Sequence, residues 1–101
     1  MDIDVVQTDG VTELVVRGDI DIESASRLSS AAAEVLGPKI ESLRIDLSGV
    51  TFMDSTGLGA LIAVQNMTVG AGRTLVLVSP SKRVARILEV TGMRDAFTIS
   101  G

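Results

Sequence analysis

The sequence predicts an α/β domain built on one mixed sheet of four to five strands, an N-terminal hairpin followed by parallel strands, with helices packed against it. Three observations carry this. Two β-rich runs flank an Asp-Gly turn at the start of the chain. Short apolar runs then alternate with segments of helical spacing, and a glycine closes each helical segment. The chain has 101 residues, the size of one compact domain spanning 1–101.

Residues 3–6 and 11–17 are the β-rich runs, and Thr8-Asp9-Gly10 between them reads as a hairpin turn. A helix is expected from Ser24 to Leu36, because Ala25, Leu28, Ala32, Val35 and Leu36 fall on one face. Gly37-Pro38 stops it: glycine accepts a left-handed cap and proline cannot continue the helix. Leu43 to Leu47 reads as a short strand ending in Asp46-Leu47-Ser48-Gly49. Helical spacing returns from Ser55 to about Val69, with Leu58, Leu61 and Ile62 on one side and Gly70-Ala71-Gly72 closing it. Thr74 to Val78 is almost wholly apolar, as expected of a strand buried on both faces. Ser79-Pro80-Ser81 opens a third helix whose inward stripe is Val84, Ile87, Leu88 and Thr91, ended by Gly92. Phe97-Thr98-Ile99 is the last strand.

Composition removes whole classes of chemistry. The chain is 46% hydrophobic and 2% aromatic, so the core is aliphatic, with Phe52 and Phe97 its only rings. There is no Cys and no His, which excludes disulfides, Cys/His zinc sites, thiol nucleophiles and histidine acid–base catalysis. The net charge is −4, and the densest basic group, Lys82, Arg83 and Arg86, is small enough to be a solvated helix face. Nucleic-acid binding, which needs a basic stripe to neutralise phosphates, is not expected. The start, Met1-Asp2-Ile3-Asp4, lacks a secretory signal, and the longest apolar run, Ala60 to Val64, is far short of a membrane span. A soluble, cytoplasmic monomer is expected.

The unusual segment is Phe52-Met53-Asp54-Ser55-Thr56-Gly57-Leu58-Gly59, between a strand and an amphipathic helix. A helix N-terminus presents unpaired N–H donors and a positive dipole end, which suits a carboxylate or phosphate. Asp, Ser and Thr are also ordinary N-cap residues. Two glycines in a first turn cost about 0.8–1.0 kcal/mol each relative to Ala in a helix interior, and so point to something close against the backbone.

Familiar enzyme motifs come near and fail. Gly57-x-Gly59 begins a dinucleotide fingerprint, but Ile62 holds the third glycine's position. No Gly-x-x-x-x-Gly-Lys-Ser/Thr loop exists. Asp54-Ser55-Thr56-Gly57 has one residue too many for the Asp-Thr-Gly of acid proteases. Asp19-x-Asp21-x-Glu23 starts like a calcium loop, yet Ser24 and Ser30 stand where Gly and Glu are needed. Those carboxylates are better read as an acidic cluster ahead of the first helix.

Asp46-Leu-Ser-Gly-Val-Thr-Phe-Met-Asp54-Ser55-Thr56-Gly57-Leu58-Gly59 resembles the hallmark of STAS domains, specifically of anti-sigma-factor antagonists. Arg17-Gly18-Asp19-Ile20-Asp21 is similar to the family's turn before its first helix, and Ser79 to Val84 with Thr91-Gly92-Met93 to its third-helix region. The resemblance implies the STAS fold and a partner-switching cycle without catalysis, metal or cofactor. The dephosphorylated antagonist binds an anti-sigma serine kinase of the GHKL type and so releases a sigma factor. Phosphorylation by that kinase ends the binding, and a serine phosphatase restores it. The resemblance makes Ser55 the phosphorylated residue, with Thr56 as the second candidate. It implies a kinase surface of Asp21, Asp54, Ser55, Thr56, Gly57 and Gly59. The family's usual helix after the last strand has no counterpart before Gly101.

Two other readings stand beside it. One is a STAS adaptor of a lipid-transport or permease complex, whose members often lack the serine. The other is a phosphoaspartate receiver with Asp46 as acceptor, which would need an acidic pair after the first strand and a late-strand Lys, neither suitably placed here.

Overall fold

A computed structural model describes residues 1–37 and 40–101. Strands β1 (Asp2–Thr8) and β2 (Val11–Ile20) form the expected hairpin. Its turn is Asp9-Gly10, with φ of 42° and 84°. Positive φ at both central residues is the twist-matched turn that Asp-Gly favours. Then follow α1 (Ala25–Val35), β3 (Ser42–Met53), α2 (Ser55–Gly70), β4 (Thr74–Val78), α3 (Lys82–Val90), a 3₁₀ turn (Arg94–Ala96) and β5 (Thr98–Ser100). The 3₁₀ turn was not anticipated from the sequence. Pro38 of the expected helix stop lies outside the described residues.

The five strands lie in chain order, β1 antiparallel to β2 and every later pair parallel. Each parallel crossover steps to the next strand in the same direction. Right-handed connections therefore place α1, α2 and α3 on one face. Burial follows that rule. Leu14 and Val16 of β2, Leu43, Ile45 and Leu47 of β3, and Leu75 and Leu77 of β4 are buried against Leu28, Leu61, Val64, Val84 and Leu88 of the helices. Truncating one of these leucines to Ala costs about 2–5 kcal/mol.

Three expectations are corrected by this topology. β4 is not buried on both faces: Leu75 and Leu77 are buried, while Val76 and Val78 face the open side half-buried. Among the described residues no helix covers that side. The third strand does not end at Gly49 but runs twelve residues to Met53. It stays paired because β2 is long enough to accompany it, with Asp19 opposite Phe52 and Ile20 opposite Met53 after two register shifts. Gly49, a stop signal in the sequence, makes room in the sheet instead, since a Cβ there would lie 2.8 Å from Cγ of Arg17. Finally, Phe52 is not a core ring; it is 39% exposed, and Phe97 is the buried aromatic.

Candidate functional site

The parallel strands deliver the N-termini of all three helices to one end of the sheet. At that end the β3–α2 junction is built by two close contacts. Asp54 is extended and serves as N-cap, its Oδ1 accepting the Gly57 N–H at 3.0 Å. Its own N–H donates to the Ile20 carbonyl at the end of β2, at 3.4 Å. Gly57 is buried, and a Cβ on it would stand 2.5 Å from that carbonyl oxygen and 2.7 Å from Cγ of Met53. Glycine at 57 is thus required by the chain's own packing, and it offers no side chain to a partner. Gly59 differs: it is exposed, and a Cβ there would meet nothing within 4 Å.

This geometry decides what Ser55 and Thr56 can do. Both are exposed in the first turn of α2, and neither side chain makes a hydrogen bond among the described residues. Because Asp54 does the capping, the Ser55 hydroxyl is available on the surface beside the dipole-positive end of a sixteen-residue helix.

Asp21 lies nearby, one residue beyond the Ile20 carbonyl that holds Asp54. Its Oδ1 accepts the Ser24 hydroxyl at 3.0 Å and the N–H groups of Ser24 and Glu23, each at 3.1 Å. The Asp21 N–H in turn donates to Ser24 Oγ at 2.9 Å. These bonds, that of the Ser24 side chain first, hold the Asp21 carboxyl below the usual carboxylate range. Asp21 thereby organises the entrance to α1. Asp19 is likewise engaged, accepting the Thr51 hydroxyl at 2.7 Å.

Three further residues stand at this end. Phe52 is exposed, and the Arg83 guanidinium carbon lies 5.9 Å from its ring centroid. The basic start of α3, first read as a solvated face, therefore leans on the strand that leads into Ser55. Ile22, between β2 and α1, is 75% exposed. The sequence marked Phe52 as one of two rings and Arg83 as part of the densest basic group, but their pairing across segments had no local signal, and nothing in the pattern distinguished Ile22.

Asp46 is no receiver-type acceptor at a strand end. It sits within β3 with Oδ1 accepting the N–H and hydroxyl of Ser48 at 2.9 and 2.7 Å, and the strand continues to Met53. Among the described residues no group of three potential ligand side chains could hold a metal ion, and no helix is long and apolar enough to cross a membrane.

A five-stranded mixed sheet covered by helices on one face, with an exposed serine at the start of its second crossover helix, defines an α/β domain of one-sided architecture. Residues 2–101 match the STAS domain family, and the chain belongs to it. It is 36% identical to the anti-sigma-B factor antagonist of Bacillus subtilis, over 99% of this chain and 91% of that protein. Identity to the anti-sigma-B factor antagonist of Listeria monocytogenes is 34%, over 86% of this chain and 76% of the relative. Among solved structures, an anti-sigma factor antagonist from Mycobacterium paratuberculosis superposes with a TM-score of 0.85 at 29% identity, over 98% of this chain and 84% of that one.

Proposed function

We propose that this chain is an anti-sigma factor antagonist whose partner binding is switched by phosphorylation of Ser55. The names of its relatives support the role, and one observation carries the switch: Ser55 presents an exposed hydroxyl that the fold does not use, because Asp54 caps the helix. The unphosphorylated protein binds an anti-sigma serine kinase of the GHKL type in the cytoplasm and so frees a sigma factor. Neither nucleic acid nor a membrane takes part in this contact, and the domain itself is no enzyme.

In the phosphorylation step the Ser55 oxygen attacks the γ-phosphorus of ATP held by the kinase. ADP leaves, and the hydroxyl proton passes to a base on the kinase. The product adds about −1.5 to −2 charges at a helix N-terminus that favours anions, so the fold accommodates it. Binding is lost at the surface, where bulk and charge now meet a partner fitted to a neutral hydroxyl. Like-charge juxtaposition costs several kcal/mol, and about 4.1 kcal/mol is a thousandfold in affinity. A serine phosphatase reverses the step. Thr56, also exposed, is the second candidate acceptor. The partner surface comprises Asp54, Ser55, Thr56 and Gly59, flanked by Phe52, with Asp21 and Gly57 holding its shape.

The test is incubation with the cognate kinase and ATP, followed by peptide mapping. One phosphate on Ser55, absent from Ser55→Ala, is the expected result. Phosphate on the Ser55→Ala protein would overturn the assignment.

A further inference from the structure

We propose that the free edge of β1 is a self-recognition surface, on which two copies of this chain pair antiparallel about a twofold axis through Val5. β1 is hydrogen-bonded on one side only, at the end of the sheet. It is seven residues long, pairs with β2 without a register shift, and exposes Val5 and Val6 by 50% and 51%. It carries no proline, lysine or bulge, devices by which edge strands commonly avoid pairing. The opposite edge, β5, is only three residues long.

The strand is self-complementary. Pairing about Val5 sets Asp2 opposite the partner's Thr8, Ile3 opposite the partner's Gln7 and Asp4 opposite the partner's Val6. No carboxylate then faces a carboxylate, and Asp4 is already paired with Arg17 of its own chain. Like charges directly opposite are what destabilises such a ladder.

α1 supplies an independent argument. Below the β1 edge, Ile3 and Val5 border an open groove whose other wall is Ser26, Arg27, Ser30, Ala31 and Glu34. Arg27 and Glu34 are two helical turns apart and share this wall. The axis that reverses β1 also reverses α1, since a twofold axis relates the whole of one copy to the other. Arg27 then approaches the partner's Glu34, and Glu34 the partner's Arg27. Arg27 donates one bond to the Met1 carbonyl at 3.0 Å, and its guanidinium keeps further N–H donors for the partner. The small Ser26, Ser30 and Ala31 leave room for the approach. A seven-residue ladder with two rim ion pairs is a small interface, so the dimer is weak and concentration-dependent. This pairing replaces the monomer expected from the sequence and does not depend on the Ser55 reading.

The experiment is sedimentation equilibrium of the whole chain over a wide concentration range at moderate salt. Circular dichroism of every variant verifies the fold. The apparent mass should rise from 10.5 kDa towards twice that value. Arg27→Glu and Glu34→Arg each place like charges at both symmetry-related contacts and should raise the dissociation constant about tenfold. The double variant Arg27→Glu/Glu34→Arg restores opposite charges and should recover association. Val5→Lys, which sets two ammonium groups at the axis, should abolish it. A protein monomeric at every concentration would overturn the proposal. So would a folded Val5→Lys variant that still dimerises, or a folded double variant no tighter than the single ones.

Discussion

Asp54 Oδ1 accepts the backbone N–H of Gly57 at 3.0 Å, and this one bond determines the availability of Ser55. The residue before the helix satisfies one of the orphan donors of its first turn, so the serine that follows is spared from capping. A buried Gly57 makes the arrangement rigid, since its Cα lies too close to the end of β2 for any side chain.

Removing the two side chains should therefore have opposite consequences. Asp54→Ala loses the cap and should destabilise the domain by about 1 kcal/mol. Ser55→Ala should change stability by less than about 0.5 kcal/mol, as an exposed residue without a hydrogen bond. In kinase binding Ser55→Ala should resemble the unphosphorylated protein, while Ser55→Asp should fold normally and bind poorly. Urea denaturation and calorimetric titration check both halves. Equal kinase affinity of the two Ser55 variants would sink the switch.

The two glycines of α2's first turn should behave as opposites. Gly57→Ala drives a methyl group against the Ile20 carbonyl and should cost about 1–3 kcal/mol. Gly59→Ala enters open space and should stabilise the helix by up to about 1 kcal/mol. Thermal melts decide this. A stabilised Gly59→Ala protein that no longer binds the kinase would identify position 59 as a direct contact.

Asp21 links the α1 entrance to pH. Its carboxyl is held below the usual range by the Ser24 hydroxyl and the backbone of Ser24. The stabilising contribution is fully present above the ordinary aspartate value, about 3.9, and is lost as pH falls through the lower folded value. Asp21→Asn should flatten the acid limb of a stability–pH profile, with little change in its slope near neutrality. An unaltered acid limb would show that the Asp21 carboxylate does not hold the turn before α1 in solution. Because Asp21→Ala also loosens this turn, weakened kinase binding in that variant reports on shape as well as contact.

Phe52 should matter more for recognition than for stability. Its ring is partly exposed beneath Arg83, and such a surface cation–π pair is worth about 0.5–1 kcal/mol. Phe52→Ala should therefore lower stability by about that amount. In calorimetry with the kinase it should weaken binding about tenfold or more, as aromatic anchors at protein interfaces do. A loss of affinity no larger than that of distant surface variants would remove Phe52 from the contact.

Local chemistry was enough to read the hairpin from Asp9-Gly10 and three helices from apolar spacing and their closing glycines, while the choice of Ser55 came from the family resemblance. Hairpin and helices each depend on neighbours within a few positions, where turn preference, periodicity and capping operate. The tertiary structure decided what depends on pairing between distant segments. Whether β3 stops at Gly49 or runs to Met53 is set by the length of β2 alongside it. The half-exposure of Val76 follows from the common direction of all three crossovers. Asp54, rather than Ser55, became the cap because the end of β2 fixes the backbone of residue 54 through the Ile20 carbonyl. The same packing explains the two glycines, alike in sequence: one lies under a strand end and the other under solvent. Position in the chain specified which groups were present; only the register of β2 against β3 determined which of them the fold consumed and which it left exposed.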